Sequence, residues 1–261
     1  MNDHSKIVIE LCPVEGVRTA GEGIFALSFS SAAISRTIRA GQFLNLRVEE
    51  SCQPLLRRPF SAYRIEGDVI EVVFNVVGRG TAAMGRKRKG DLIDIMGPLG
   101  RPFDTDVPGY DSGILIGGGL GVAPLPLLTS SLLKKGKQVV TFLGARTSSV
   151  LVTEHLREPH LATDDGTRGF HGTVVDLASA TLRASAVSRP RIFACGPTPM
   201  LRAVAAFARA EGIPCEVSLE GPMGCGIGIC QGCPVERAGD EKRYALMCKD
   251  GPTFDIRTIK I

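Results

Sequence analysis

Four cysteines near the C-terminus constrain this chain more than any other feature of its sequence. Cys225, Cys230 and Cys233 follow one another with the spacing C-x4-C-x2-C, and Cys248 comes further along. This is the plant-type arrangement of thiolate ligands for a [2Fe–2S] cluster. Glycines at positions 224, 226, 228 and 232 let such a loop wrap closely and direct backbone N–H groups at the sulfurs. The spacing therefore predicts a [2Fe–2S] cluster held by these four cysteines.

A structural zinc site is the alternative interpretation of the same cysteines. Zinc sites more often pair one C-x2-C with a second C-x2-C or with histidines, and the C-x4-C spacing fits that pattern poorly. Zinc is therefore the weaker interpretation. A zinc-stabilised nucleotide-sensing module remains the alternative from another class of function.

Composition limits the compartment and the partners. The chain has 261 residues, of which 44% are hydrophobic and 22% charged, as in ordinary soluble proteins. Residues 1–6 lack the apolar stretch of a signal peptide, and no apolar run approaches the ~20 residues that span a bilayer. We expect a cytoplasmic protein without membrane contact, in which cysteines serve metal or redox chemistry. The basic run at residues 86–89 is short and lacks aromatic neighbours, so it indicates a solvated turn and no nucleic-acid partner.

The first part of the chain has the pattern of short strands separated by turns. Residues 42–48 and 91–96 alternate in part between apolar and polar side chains, and residues 69–77 are dense in β-branched residues. Glycines punctuate these runs. The pattern is typical of an all-β sandwich or barrel.

The second part of the chain changes to strands followed by helices. An apolar strand at residues 113–116 passes into a glycine-rich loop and then a predicted helix, and a second pair joins strand 191–195 to helix 197–211. Repeated units of this kind predict a parallel sheet with helices on its faces. The residues after about 216 are rich in loops and too few for a core of their own, so a metal centre would explain how they stay ordered.

Two loops at the ends of predicted strands have the features of a nucleotide site. In Gly117-Gly118-Gly119-Leu120-Gly121-Val122-Ala123-Pro124, a pyrophosphate can approach backbone N–H groups and the positive end of a helix. The spacing differs from the G-x-G-x-x-G fingerprint, so a tight structural turn is the alternative. Cys195-Gly196-Pro197 supports nucleotide binding, because both loops would lie at the carboxyl edge of the sheet.

Two motifs of the first part suit a flavin. Arg58-Pro59-Phe60-Ser61 combines a guanidinium for a pyrophosphate with a ring for the face of a flavin. Gly78-Arg79-Gly80-Thr81 adds a close-approach turn with a hydroxyl. Either motif alone is compatible with a strand end or a turn. Both motifs precede a predicted nucleotide-binding domain and a cluster motif in the chain, and in that context they predict a flavin site together.

The order of these motifs resembles the ferredoxin reductase superfamily. Further motifs are similar to those of the electron-transfer subunits of NAD-dependent (class 1B) dihydroorotate dehydrogenases: Leu56-Arg57-Arg58-Pro59, Met96-Gly97-Pro98-Leu99-Gly100, Thr163-Asp164-Asp165-Gly166, Met223-Gly224-Cys225-Gly226-Ile227-Gly228 and Cys248-Lys249-Asp250-Gly251-Pro252. The resemblance runs in order over nearly the whole chain. One departure is Glu220-Gly221-Pro222-Met223-Gly224, where the family pattern is more polar.

The resemblance implies an α+β multidomain protein. It implies an FAD-binding antiparallel β-barrel in residues 1–105, an NAD-binding Rossmann-like α/β domain in 106–215, and a small [2Fe–2S] module in 216–261. The FAD site that it implies comprises Arg58, Pro59, Phe60, Ser61, Asn75, Val76, Val77, Gly80 and Thr81. The expected NAD site comprises Gly117, Gly118, Gly119, Gly121, Val122, Ala123, Pro124, Cys195, Gly196 and Pro197.

The implied function is electron transfer between NAD and a separate FMN-containing subunit that oxidises dihydroorotate in pyrimidine biosynthesis, in an assembly of two chains of each kind. A nicotinamide exchanges two electrons as a hydride, whereas a [2Fe–2S] cluster accepts one, so FAD must lie between them. The cofactors carry this chemistry, and no catalytic acid or base is expected. A subunit of a sulfide dehydrogenase or of an NADPH–ferredoxin transhydrogenase is the alternative with the same cofactors, and four cysteine ligands without a carboxylate favour the dihydroorotate system.

Two residues keep two interpretations each. Cys195 suits either a place beside the nicotinamide or a small buried residue at the end of a strand. Arg146 follows a predicted strand and suits either a 2′-phosphate or a surface salt bridge. The preference between NADH and NADPH therefore stays open at this point.

Overall fold

The computed structural model describes residues 6–49, 55–239 and 243–261. The expectation about the N-terminus rests almost entirely on residues 1–5, which lie outside the described residues. Within the described ranges, no helix has the length and the apolar character needed to cross a membrane.

The first part of the chain forms a seven-stranded antiparallel sheet with two short helices. Its strands are β1 Val8–Gly21, β2 Ile24–Ser30, β3 Phe43–Arg47, β4 Arg58–Ser61, β5 Arg64–Glu66, β6 Val69–Asn75 and β7 Leu92–Leu99, and its helices are α1 Ala32–Ser35 and α2 Arg79–Gly85. The strand order is β4-β3-β7-β1-β2-β6-β5. The basic run at residues 86–89 follows α2 in an open connection, where Lys89 lies 3.5 Å from Glu15, as expected for a solvated turn.

The sheet closes into a barrel because its two edge strands are consecutive in the chain. Ala62 and Tyr63 alone separate β4 from β5, and the Tyr63 N–H donates to the Glu71 carbonyl on β6 at 2.8 Å. Phe60 on β4 contacts Phe74 on β6 edge to face, with ring centroids 6.1 Å apart. The interior is packed with buried apolar side chains, each contributing about 1.5–3 kcal/mol on burial: Leu27, Phe29, Leu44, Leu46, Ile70, Val72, Ile93 and Ile95. The predicted antiparallel barrel is confirmed.

The second part of the chain forms a largely parallel sheet. Its strands are β8 Ser112–Gly118, β9 Gln138–Ala145, β10 His160–Thr163, β11 Phe170–His171, β12 Pro190–Cys195 and β13 Cys215–Ser218, and its helices are α3 Leu125–Lys134, α4 Val174–Ala184 and α5 Thr198–Ala210. Neighbouring strands of this set pair in parallel in the order β11-β10-β9-β8-β12-β13. Strands β9, β10 and β11 are therefore added on one side of β8, and β12 and β13 on its other side. The predicted parallel sheet is confirmed, and its switch point lies between β8 and β12.

The C-terminal segment adds a strand to the parallel sheet and forms a hairpin of its own. It contains β14 Pro234–Glu236, β15 Tyr244–Leu246, α6 Met247–Asp250 and β16 Thr253–Asp255. β14 and β15 form an antiparallel hairpin, and β16 pairs antiparallel with β13 at the edge of the parallel sheet. Phe254, Ile256 and Ile259 pack into the same core as Val217 of β13. The segment is thus ordered partly by extending a neighbouring sheet, which the sequence pattern did not indicate.

Candidate cofactor site

A cleft of about 420 Å³ lies where the barrel, the parallel sheet and the C-terminal segment meet. Of the residues predicted to bind FAD or NAD, it is lined by Arg58, Pro59, Phe60, Ser61, Asn75, Val77, Gly80, Thr81, Ala123 and Cys195. It is also lined by Leu120 and Pro252, which belong to quoted motifs but were not predicted as site residues, and by residues outside every motif, among them Phe43, Phe74, Ser218 and Leu219. A larger open groove of about 780 Å³ crosses the outer face of the barrel and includes none of the predicted site residues.

Arg58 and the turn before α2 form the barrel wall of the cleft. A Cβ atom on Gly80 would overlap the Arg58 guanidinium, so glycine permits this close approach. The Thr81 hydroxyl oxygen accepts the N–H groups of Val77 at 2.9 Å and Gly78 at 3.2 Å. A fixed turn beside a guanidinium suits the negative oxygens of a pyrophosphate. Val76 lies beside this turn, is half exposed and is not among the lining residues.

The two predicted nucleotide loops meet at the switch point of the parallel sheet. In the register of β8 and β12, Gly117 stands opposite Cys195. A Cβ atom on Gly121 would overlap the Cys195 carbonyl oxygen, and one on Gly118 would lie 3.2 Å from Pro197 Cδ. The loops are therefore packed backbone to backbone. Leu120, Ala123 and Cys195 reach the cleft, whereas the other predicted NAD residues form the loops behind it: Gly117, Gly118, Gly119, Gly121, Val122, Pro124, Gly196 and Pro197.

Helix α3, which follows the first nucleotide loop in the chain, begins at Leu125, one residue after Pro124. A short 3₁₀ helix, Gly119–Val122, precedes it, and Pro124 occupies the N-cap position. Leu128 and Leu132, which share one face of α3, are both buried. The helix predicted after the glycine-rich loop is therefore present, with its first turn displaced by the 3₁₀ turn.

Cys195 lies beside Glu220 on the wall of the cleft. Its Sγ is 3.8 Å from Glu220 Oε1, and the side chain is 2% exposed. Burial and the charge of Glu220 raise the pKa of Cys195 well above the ordinary range of a thiol. Desolvation also raises the pKa of Glu220. Cys195 is thus a neutral thiol at physiological pH and offers an apolar contact surface with a weak donor, not a nucleophile. It is both buried at a strand end and in contact with the cleft.

The stretch that departs from the family pattern lies at the cleft. Glu220, Gly221 and Met223 line it, and a Cβ atom on Gly221 would lie 2.8 Å from Met247 Cε. The departure therefore affects residues that face the cleft. Glu220 is among them, and the sequence pattern marked it only as part of the departure and not as a site residue.

The four C-terminal cysteines are arranged as two pairs. Cys233 and Cys248 are buried with their sulfurs 3.3 Å apart. Cys225 lies at the start of the glycine-rich loop, where its sulfur accepts the backbone N–H groups of Ile227 at 3.5 Å and Cys230 at 3.4 Å. None of the seven described cysteines forms a disulfide. Within the described residues, no three histidine, cysteine, aspartate or glutamate side chains converge as a ready metal site.

The donor chemistry of this cysteine set fits an iron–sulfur cluster. Desolvation raises the pKa of Cys225, but the hydrogen bonds from the N–H groups of Cys230, Ile227 and Ile229 and from the Cys230 side chain together outweigh it and lower the pKa to about 6. Burial and the neighbouring Cys233 sulfur raise the pKa of Cys248 to about 12. Two thiolates this close need a shared cationic centre to remain ionised together. Backbone N–H groups directed at sulfur are the hydrogen bonds that tune such clusters.

The arrangement defines a class of protein, and solved structures agree with it. The chain superposes on the structure of an NADH-dependent reduced ferredoxin-NADP oxidoreductase with a TM-score of 0.84 and 29% identity, covering 96% of this chain and 90% of that one. The fold is also that of a ferredoxin NADP+ reductase from Neisseria gonorrhoeae, at a TM-score of 0.66 and 16% identity, over 78% of this chain and 92% of that one. The class is therefore a ferredoxin reductase-like oxidoreductase with a C-terminal cysteine segment.

Sequence relatives narrow the class to a family. Residues 220–260 match the model of the iron–sulfur cluster binding domain of dihydroorotate dehydrogenase B. The chain is 37% identical to the electron transfer subunit of dihydroorotate dehydrogenase B (NAD(+)) of Geobacillus kaustophilus, over 94% of this chain and 96% of the relative. The subunit of the same name from Bacillus caldolyticus has the same identity and coverage. The chain belongs to the family of dihydroorotate dehydrogenase B electron transfer subunits.

Proposed function

We propose that this chain transfers electrons between a dihydroorotate-oxidising partner subunit and NAD, through a [2Fe–2S] cluster and FAD, in pyrimidine biosynthesis. The observation that carries the proposal is the cleft, because residues of the barrel, the nucleotide loops and the stretch before Cys225 all line it. When bound, FAD exchanges a hydride with nicotinamide and single electrons with the cluster, so its site has to adjoin both.

The FAD site is proposed on the barrel side of the cleft. Arg58 and the turn fixed by Thr81 bind the pyrophosphate, and Phe60 offers its ring to the cofactor. The full proposed set is Arg58, Pro59, Phe60, Ser61, Asn75, Val76, Val77, Gly80 and Thr81.

The NAD site is proposed at the switch point of the parallel sheet. Gly117, Gly118, Gly119, Gly121, Val122, Ala123, Pro124, Gly196 and Pro197 shape its loops, and Cys195 contacts the nicotinamide. The close backbone packing of the two loops supports this assignment, since a pyrophosphate can then reach their N–H groups.

We propose NAD rather than NADP as the nucleotide, in keeping with the names of the relatives. Equal rates of flavin reduction by NADH and NADPH would contradict that preference.

The cluster ligands are proposed to be Cys225, Cys230, Cys233 and Cys248. The N–H groups of Ile227 and Cys230 favour the charged form of the Cys225 sulfur, and Cys233 and Cys248, with their sulfurs 3.3 Å apart, would supply two further buried ligands. The proposed division into residues 1–105, 106–215 and 216–261 assigns one cofactor to each part. Its second boundary falls within β13, which pairs with β12 on one side and β16 on the other, so the last two parts share one sheet.

The partner is proposed to be an FMN-containing catalytic subunit, in an assembly of two chains of each kind. The relatives are electron transfer subunits by name, which supports a separate catalytic chain. We further propose that the complex acts in the cytoplasm, where thiols stay reduced and free for metal ligation.

Copurification followed by an assay tests the proposed function. Coexpressed with a dihydroorotate-oxidising catalytic subunit, the chain should form a stable complex that reduces NAD+ with dihydroorotate. Cys248→Ala should abolish NAD+ reduction but leave oxidation of dihydroorotate by an artificial dye intact, whereas Cys12→Ala, at a cysteine buried inside the barrel, should change neither. Absence of a complex, or NAD+ reduction that survives Cys248→Ala, would contradict the proposal.

A second candidate function is electron transfer between a nicotinamide nucleotide and ferredoxin. The structural similarity to an NADH-dependent reduced ferredoxin-NADP oxidoreductase, at 29% identity over 96% of this chain, favours it. Rapid NADH oxidation with ferredoxin, without complex formation with a dihydroorotate-oxidising subunit, would select this candidate.

A further inference from the structure

Asn45 is a buried amide at the contact between the barrel and the cysteine loop. It lies in β3 at 1% exposure and stands opposite Pro59 of β4 in register. Its Nδ2 donates to the carbonyl oxygen of Cys225 at 3.2 Å. Because Pro59 lines the cleft, Asn45 connects a strand that faces the proposed flavin site to the residue that carries the first proposed cluster ligand.

Gly226 allows the loop to lie directly against this amide. Its φ of +75° is in the left-handed region, and a Cβ atom would overlap Asn45 Nδ2 and lie 3.4 Å from Leu99 Cδ1. The Cys225 sulfur accepts the N–H groups of Ile227 and Cys230. With its carbonyl and its sulfur both held, Cys225 keeps a position relative to the barrel that depends on Asn45.

Stability alone does not account for an amide at this position. Asn45 Oδ1 is buried and has no hydrogen-bond partner among the described residues. An unsatisfied buried acceptor is unfavourable, and an apolar side chain of the same size would bring none. The hydrogen bond that the side chain gains is the one to the Cys225 carbonyl. The amide therefore serves the loop more than the barrel core.

We propose that Asn45 is a positioning residue for electron transfer, which fixes the Cys225 loop against the flavin-facing strand and so sets the cluster's reduction potential and its rate of electron exchange with the flavin. Donation to the Cys225 carbonyl withdraws negative potential from the loop, which favours the reduced, more negative cluster. Removing the donor should therefore lower the cluster potential. The inference rests on the proposed function, since it requires both cofactors.

The test compares holoprotein carrying Asn45→Leu with wild type and with a matched control. A bound flavin would take a hydride, that is two electrons and a proton, from NADH, which becomes NAD+. The cluster would take one of these electrons, reducing one ferric ion to ferrous, and the second would stay on the flavin until the cluster has passed the first to an acceptor. In Asn45→Leu we expect wild-type FAD, iron and sulfide contents and wild-type flavin reduction, but a lower cluster potential, shifted EPR g-values and slower flavin-to-cluster transfer. The control is Gln42→Leu, which removes another buried amide, one that donates to the Gly100 carbonyl at 2.9 Å within the barrel. It should lower stability and leave the potential and g-values unchanged.

Wild-type potential, g-values and transfer rate in Asn45→Leu would overturn the proposal, as would an equal change in Gln42→Leu. If Asn45→Leu does not fold, Asn45→Ser provides the same measurements. Loss of the cluster from an Asn45 variant alone, with FAD retained, also supports the positioning role, because the cysteine loop is then no longer held in place. Loss of both cofactors from an Asn45 variant and from Gln42→Leu alike overturns it. Failure of the proposed function is distinguishable, because the wild type itself would then show no cluster reduction by NADH.

Discussion

Small residues and backbone groups, more than charged side chains, shape the three proposed cofactor sites. Gly80 makes room for the Arg58 guanidinium, Gly121 lets the two nucleotide loops touch, and Gly226 brings the cysteine loop against the barrel. At each position a Cβ atom would overlap a neighbouring atom, so the requirement for glycine is steric. A glycine-to-alanine substitution at one of these positions is therefore expected to impair one cofactor site and leave the other two intact.

Gly121→Ala should weaken NAD(H) binding and leave the other cofactors in place. The added methyl group would overlap the Cys195 carbonyl and push the two loops apart. We expect at least a tenfold rise in the Kd of NADH, about 1.4 kcal/mol, with unchanged FAD and iron contents. The matched control is Gly16→Ala, where a Cβ atom meets nothing within 4 Å. Isothermal titration with NAD(H) checks this, and unchanged affinity in Gly121→Ala would place the nucleotide elsewhere.

Cys195→Ala should slow flavin reduction by NADH several-fold, with FAD and iron contents unchanged, because the thiol contacts the proposed nicotinamide site. Burial and the charge of Glu220 raise the pKa of Cys195, so the thiol stays neutral as the pH rises. The rate of flavin reduction in the wild type should therefore show no titration of Cys195 from about pH 6 to about pH 9. Stopped-flow traces across this range provide the measurement. A rate that changes with a midpoint near pH 8, and loses that midpoint in Cys195→Ala, would show that the thiolate forms.

At the scale of elements, local patterns predicted the strands that carry the site but not the contacts between parts. Alternation near β3 and the β-branched run of β6 indicated the barrel, and the loops after β8 and β12 followed from the rule that parallel sheets bind ligands at their carboxyl edge. The pairing of β16 with β13 could not be predicted, because it depends on tertiary proximity. Asn45 carried no motif either, and its role appears only once the cysteine loop lies over β3.

The buried ion pair between β12 and β13 should matter for stability. Arg191 and Glu216 are 2.6 Å apart, with side chains 7% and 9% exposed, and Glu216 also accepts the Asp104 N–H at 2.9 Å. Glu216→Ala leaves an uncompensated buried guanidinium, so the free energy of unfolding should fall by about 3–5 kcal/mol. Urea denaturation of the holoprotein measures this change.

The control for that change is an exposed pair. Arg189 and Asp111 are 2.6 Å apart near the surface, and Arg189→Ala should cost about 1 kcal/mol or less. Equal losses from the two variants would mean that Arg191 is rehydrated when its partner is removed.

At the scale of the whole molecule, the cysteine segment ties the barrel to the parallel sheet. Phe43, Met96 and Leu99 of the barrel share a core with Cys233 and Cys248. The Arg101 N–H donates to the Gly251 carbonyl at 2.6 Å, and the Thr253 hydroxyl donates to the Pro102 carbonyl at 2.9 Å. Cluster binding should therefore stabilise more than the loop that holds it.

Removing the cluster should lower the stability of the entire chain. Ligand binding to the folded state adds to its free energy of unfolding, and metal ligation is coupled to folding. Anaerobic protein stripped of iron should show a lower Tm and earlier loss of FAD than holoprotein in a thermal scan. Identical melting of the two forms would show that the segment is held by its apolar contacts alone.

An anaerobic NADH titration, followed by absorbance and EPR with parallel iron and acid-labile sulfide analysis, tests the central claim most directly. If the four cysteines hold a [2Fe–2S] cluster that exchanges electrons with a bound flavin, NADH will bleach the flavin and then produce the EPR signal of a reduced cluster. Protein without acid-labile sulfide, or iron that stays oxidised while the flavin is fully reduced, would contradict the account.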